Sequence, residues 1–188
     1  AVTRRCNKAC SFCYQSRRDQ DLAPERLFAT LRNVPLGHVS ITGGEPLLHP
    51  QLRDILTWLR PRCESLYLLT NAILLDDEWS RFCAETGMKL FVSVPDNVRT
   101  TRRRVRRAVA VGADVSVQHV LTDGSVPVLR SLLELRDDVS EVVLLYPVSL
   151  REHGKPMAGQ AHWNALVRKA VTVLAPFGDR VFYEPAFA

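Results

Sequence analysis

The stretch Arg5-Cys6-Asn7-Lys8-Ala9-Cys10-Ser11-Phe12-Cys13-Tyr14 carries three cysteines, and thirty residues beyond the last of them the chain reads Gly43-Gly44-Glu45-Pro46. A cubane iron–sulfur cluster takes four thiolates, so a loop that offers three leaves one iron open to a ligand that is not protein. An open iron is a place for chemistry. Two plainer readings compete. Spacings of four and three would also set the cysteines on one face of a helix, where an unmodified cysteine behaves as a small buried hydrophobe. Short cysteine clusters also bind zinc. Against the buried stripe, Arg4, Arg5, Asn7, Lys8 and Ser11 surround the cysteines, and the neighbouring helical positions carry no apolar continuation. Against zinc, structural sites are closed by four ligands, and no fourth Cys or His lies near in the sequence. The residues favour a metal site and, within that, an iron–sulfur cluster ahead of zinc.

Cys-x3-Cys-x-aromatic-Cys followed by Gly-Gly-Glu-Pro after a strand-like run resembles the radical S-adenosylmethionine (SAM) enzymes, and the resemblance covers most of the chain. It implies that Cys6, Cys10 and Cys13 hold a [4Fe–4S] cluster whose fourth iron chelates the amino and carboxylate groups of SAM. Phe12 takes the position that lies against the adenine. Gly43, Gly44 and Glu45 would meet the SAM amino group, largely through backbone oxygens. The implied reaction is reductive cleavage of SAM to methionine and a 5′-deoxyadenosyl radical, which takes a hydrogen from substrate. A flavodoxin- or ferredoxin-type electron donor belongs to the same expectation. Tyr14 and the pair Thr70-Asn71 resemble the branch of peptide maturases and the molybdenum-cofactor cyclase, which points to a peptide, as in ribosomal natural-product biosynthesis, or a small molecule as substrate. No catalytic side chain can be named from the motifs.

Composition agrees with an enzyme domain of this kind. At 188 residues, 46% apolar and 24% charged, the chain suits one globular domain with one core. No apolar run approaches the roughly twenty residues that a membrane span requires. Five cysteines, three of them in a basic loop, read as a metal site in a reducing compartment rather than a disulfide framework, and the cytoplasm is the expected location. The net charge of +5 and the run Arg99-Thr100-Thr101-Arg102-Arg103-Arg104-Val105-Arg106-Arg107 invite a nucleic-acid reading. Periodicity argues for something duller: Val105, Ala108, Val109 and Gly112 recur at helical spacing, so the arginines form the outer face of an amphipathic helix. The alternatives to a peptide- or small-molecule-modifying enzyme are a nucleic-acid-modifying radical SAM protein and a non-catalytic iron–sulfur or redox module.

Strand-like and helix-like segments alternate along the rest of the chain, the pattern of a parallel sheet with crossover helices. Short β-rich runs occupy Val39 to Thr42, Leu66 to Asn71, Leu90 to Val94, Val115 to Leu121 and Val142 to Pro147. Between them, helical patterns are marked by Leu52, Ile55, Leu56 and Leu59, by Trp79, Phe82 and Cys83, and by Leu129, Leu132 and Leu133. The last and clearest carries Trp163, Leu166, Val167, Ala170 and Leu174. Pro24 and Pro50 sit where a first helical turn accepts proline. Counting Ala1 to Arg4 as the end of a truncated first strand makes six, which matches the α/β partial (β/α)6 barrel that the resemblance implies. The sequence, lacking an initial Met and ending on Pro185-Ala186-Phe187-Ala188, is expected to be a core excised from something longer, one domain over residues 1–188.

Chemistry in such folds collects at the carboxyl ends of the strands. The exits offer Thr42 before Gly43 and Gly44, then Thr70 and Asn71, then Ser93 and Asp96. In relatives the third exit often reads Ser-hydrophobic-Asp-Gly near the SAM ribose or carboxylate. Here Pro95 intervenes and no glycine follows, and Ala72 stands where glycine commonly follows Thr-Asn. Thr70, Asn71, Ser93 and Gln118 are the expected SAM contacts at their exits, with the neighbouring His119 read as a hydrogen-bonded structural residue. Tyr146, His153, Tyr183 and Glu184 could face substrate or merely line an exposed rim. Cys63, placed at the end of a helix, and Cys83, on an apolar stripe, read as structural.

Overall fold

The computed structural model describes residues 1–10, 13, 19–94, 98–146 and 159–183. The expectations for Phe12, Asp96, His153 and Glu184 lie outside them. Six strands, β1 (Leu36–Ile41), β2 (Cys63–Thr70), β3 (Lys89–Ser93), β4 (Asp114–Val120), β5 (Val142–Leu145) and β6 (Val181–Tyr183), form one sheet in sequential order. Every neighbouring pair is parallel. Helix α1 (Pro24–Leu31) precedes the sheet. Helices α2 (Leu52–Leu59), α3 (Asp77–Glu85), α4 (Val98–Ala110), α5 (Val126–Leu132) and α6 (Gln160–Val173) each connect one strand to the next. The result is the expected α/β partial barrel, curled but not closed.

The local reasons are legible in the residues. Leu52, Ile55, Leu56 and Leu59 recur at i, i+3, i+4 and i+7, and all four are buried, so α2 presents one apolar stripe to the sheet. Each such leucine contributes roughly 1.5–3 kcal/mol by burial. The strands alternate: Leu66, Leu68 and Thr70 are buried while Ser65, Tyr67 and Leu69 between them are half-buried, and Leu90 and Val92 repeat the pattern on β3. One face of the sheet is therefore packed under helices and the other lines the hollow of the barrel. Pro24 occupies the first position of α1, where its missing N–H costs nothing. Asp76 caps α3 by accepting from the Trp79 N–H at 2.8 Å, and Asp77 and Glu78 add first-turn acids.

The six strands differ from those expected at the two edges. Ala1–Arg4 does not join the ladder as a strand. Val2 donates to the Thr42 carbonyl at 2.7 Å, and Thr3 makes a single antiparallel bridge with Asp21, so this segment lies wedged between the β1 exit and residues 20–22. The sixth strand is instead Val181–Tyr183, three residues with no apolar run long enough to announce it. Cys63 opens β2 rather than ending a helix. Among the described residues, no helix is long and apolar enough to cross a membrane.

Candidate active site

The cysteine loop meets Gly43-Gly44-Glu45 through backbone alone. The Gly44 N–H donates to the Thr3 carbonyl at 2.9 Å, and the Glu45 N–H donates to the Arg5 carbonyl at 2.8 Å. No side chain could stand at this joint. A Cβ on Gly43 would lie 2.6 Å from the Thr3 oxygen, and one on Gly44 would lie 2.2 Å from the Arg5 oxygen and 2.9 Å from the Cys6 Cβ. The paired glycines let the chain that carries Cys6 lie directly on the β1 exit.

The near side of the loop is pinned by polar side chains. Arg5 reaches Asp21 with Nε at 3.1 Å and Nη2 at 2.7 Å, a bidentate pair, and Nη2 also donates to the Leu48 carbonyl. Thr3 donates to the same Asp21 carboxylate at 2.6 Å. Buried His49 bridges the Leu22 carbonyl (3.0 Å, Nε2) and the Gln51 N–H (3.1 Å, Nδ1), donating through Nε2 and accepting through Nδ1.

Glu45 is wholly buried, and its carboxylate is spent inside the protein. Oε1 accepts from the Thr70 hydroxyl at 2.6 Å and the Leu47 N–H at 3.2 Å; Oε2 accepts from the Asn71 N–H at 2.7 Å. Burial pushes this carboxyl above its ordinary value, a shift that the three hydrogen bonds and nearby Lys8 oppose without cancelling. The β1 exit is thereby tied to the β2 exit. Asn71 carries the tie onward: its Oδ1 accepts from the Ile73 N–H at 2.9 Å and its Nδ2 donates to Asn7 Oδ1 at 2.8 Å. Ala72, next in the chain, has φ of 58°. It adopts the conformation for which glycine is suited, so the expected glycine's geometry is present without the glycine.

Cys6, Cys10 and Cys13 are all half-buried, and none of the five cysteines is in a disulfide. The Lys8 N–H points at Cys6 Sγ at 3.4 Å, and the Cys13 N–H donates to the Cys10 carbonyl at 3.2 Å. Among the described residues, no three His, Cys, Asp or Glu side chains converge as one metal ion would need. An all-sulfur donor set with a backbone amide on one sulfur fits an iron–sulfur cluster with three protein ligands.

Further round the barrel, Gln118 Nε2 donates to Ser93 Oγ at 2.8 Å, joining the β3 and β4 exits on the hollow face. His119, on the opposite face, is buried between the Val94 carbonyl (2.6 Å) and Ser125 Oγ (2.7 Å), which is a structural role. Tyr146 is not on a rim: it is buried, with its ring edge-on to Trp163 at 5.0 Å. Tyr183 is exposed on β6. Cys63 and Cys83 are buried away from the loop, and burial pushes the Cys83 thiol to about 12, so it is inert. Sequence reasoning passed over Asn7, Asp21 and His49. Only Asn7 carried a signal, its place between Cys6 and Lys8.

The family model of the Radical SAM superfamily matches residues 1–135. A probable GTP 3′,8-cyclase of Methanopyrus kandleri is 32% identical over 161 residues, covering 81% of this chain and 50% of the relative. The structure of Streptococcus suis SuiB bound to the precursor peptide SuiA superposes with a TM-score of 0.82 at 16% identity, over 98% of this chain and 48% of SuiB. SuiB bound to S-adenosylmethionine gives 0.78 at 16% identity, over 97% and 48%. The chain thus spans about half the length of these proteins, and at this identity the likeness to SuiB is one of fold.

Proposed function

The chain belongs to the radical SAM superfamily, and from that premise we propose that it holds a [4Fe–4S] cluster on Cys6, Cys10 and Cys13, binds SAM beside it, and abstracts hydrogen from a peptide. The observation that carries this reading is the backbone joint, in which Gly44 and Glu45 donate to the Thr3 and Arg5 carbonyls and hold the cysteine loop against a strand exit. When bound, the reduced cluster supplies the electron that splits SAM into methionine and a 5′-deoxyadenosyl radical.

The protein's own contribution is placement. With its carboxylate satisfied by Thr70, Asn71 and Leu47, Glu45 offers a ligand only backbone, which suits recognition of the methionine amino group by the turn at Gly43, Gly44 and Glu45. Ser93 and Gln118, already joined, offer a hydroxyl and an amide to the sugar or carboxylate of SAM. Phe12, next to Cys13 in sequence, is assigned to the adenine. Tyr67, Leu69 and Phe91 on the hollow face exclude water from the reaction. The electron comes from a flavodoxin- or ferredoxin-type donor.

We favour a peptide as substrate because the fold is shared with SuiB, whose structure was solved with a precursor peptide bound, at a TM-score of 0.82. Nucleic acid is the less favoured reading, since three of the six arginines on α4, Arg102, Arg106 and Arg107, are paired with Glu134, Asp138 and Asp77.

The test is anaerobic reconstitution of the chain with iron and sulfide, followed by dithionite and SAM. The expected result is a brown protein that forms 5′-deoxyadenosine and loses this activity when any of Cys6, Cys10 or Cys13 becomes alanine. A cluster-loaded protein that never cleaves SAM would refute the proposal. Added GTP is expected to leave the rate unchanged.

A further inference from the structure

Asn71 makes three hydrogen bonds that reach other described residues of the site. Its N–H is fixed on Glu45 Oε2 (2.7 Å), its Oδ1 on the Ile73 N–H (2.9 Å), and its Nδ2 on Asn7 Oδ1 (2.8 Å). The first two fix the backbone and the orientation of the amide, so the third is delivered from a rigid strand exit. Its target, Asn7, sits 64 positions away in sequence, in the exposed turn between Cys6 and Lys8. In that same turn the Lys8 N–H is directed at Cys6 Sγ at 3.4 Å. A short turn anchored at Cys6 alone could rotate its peptide planes freely; anchored at Asn7 as well, it presents the Lys8 amide to the sulfur.

We propose that Asn71 is a positioning residue for the iron–sulfur cluster: by clamping Asn7 it holds the Lys8 N–H against the Cys6 sulfur and so raises the cluster's reduction potential. The inference rests on the cluster assignment above. An N–H dipole aimed at a ligating sulfur stabilises the more negative, reduced state, and hydrogen bonds to sulfur are among the protein's levers on such potentials. Removing the clamp therefore lowers the potential and leaves the three thiolates in place.

The experiment compares wild type, Asn7→Ala, Asn71→Ala and the double variant, each as the full chain reconstituted anaerobically with iron and sulfide and without SAM. Iron and sulfide content is measured beside the midpoint potential, read by an EPR-monitored redox titration. Both single variants are expected to load iron as wild type does and to titrate at a lower potential, and the double variant is expected to shift no further than the larger single shift. Unchanged potentials overturn the proposal, as do additive shifts, which would mean that the two side chains act separately. Asn7 is exposed, so its variant carries the comparison even where Asn71→Ala misfolds. A wild type that assembles no cluster would instead remove the cluster assignment itself.

Discussion

At the scale of single residues, the joint between the cysteine loop and the β1 exit is governed by the space that two glycines leave. A methyl group on Gly44 would meet the Arg5 carbonyl oxygen at 2.2 Å, well inside contact distance, and that oxygen belongs to backbone that cannot swing aside. Gly44→Ala is expected to displace Cys6 and cut iron uptake on reconstitution several-fold, with the far-ultraviolet circular dichroism retained. Gly37→Ala, where nothing lies within 4 Å, is the matched control and should load iron normally. Equal uptake by both would mean that the loop does not depend on this close approach. Glu45 gives a prediction with a sign. Burial raises its carboxyl above 4.5 in the folded protein, so the protonated form is the one folding favours. That stabilising contribution is fully present below about pH 4.5, the unfolded value, and is lost as pH rises through the raised one. Glu45→Gln carries no such proton. It also leaves one of the carboxylate's N–H partners without an acceptor, at about 1–3 kcal/mol. Wild type should therefore exceed the variant most at acid pH, with the gap narrowing as pH climbs, measured by urea unfolding across that range. A gap independent of pH would show the carboxyl to ionise alike in both states.

At the scale of elements, α4 separates burial from charge. Val105 is fully buried on its inner face, whereas Arg106 on the outer face reaches Asp138 at 2.9 Å and the Glu134 carbonyl at 2.8 Å. Exposed pairs of this kind contribute at most about 1 kcal/mol, and truncating a buried valine costs about 2 kcal/mol. Val105→Ala should thus lower the urea midpoint clearly more than Arg106→Ala does; the reverse order would make the arginine face the structural one. The same helix explains what was readable beforehand. Its apolar residues at helical spacing and the β-branched or leucine-rich runs of β1 to β5 carry local periodicity, and the elements lie within a few residues of where that periodicity puts them. The three residues of β6 are too few to show a period, and Phe182 and Tyr183 are exposed on it. At the site, the three cysteines and the Gly-Gly-Glu run were visible because their spacing is local. The Asn7–Asn71 bond was not, because it joins two common polar residues across 64 positions. Tyr146 could be read as facing substrate or lining a rim because it follows a strand; it is buried, with Trp163 edge-on to it.

At the scale of the whole molecule, the sequential strand order sets the cysteine loop and the closing helix at opposite edges. The loop is joined to β1 and β2 through Gly44, Glu45 and Asn71, while α6 packs Trp163 onto Tyr146 just beyond β5 and leads through buried Leu174 and Phe177 into β6. Every strand pairs only with its neighbours in the chain, so a defect at the β5–β6 edge is separated from the loop by the intervening strands and their helices. Trp163→Ala removes a side chain that is 1% exposed, and such truncations cost about 3–5 kcal/mol. That is a large share of the roughly 5–15 kcal/mol that holds a domain together, so the melting temperature should fall sharply. Below the new transition, opening should be regional. Hydrogen exchange is expected to quicken most in α6, β5 and β6 and least in β1 and β2, and iron uptake per folded protein should match wild type. Loss of iron in step with exchange at β6 would contradict this, because it would require the site edge and the closing edge to open as one cooperative unit.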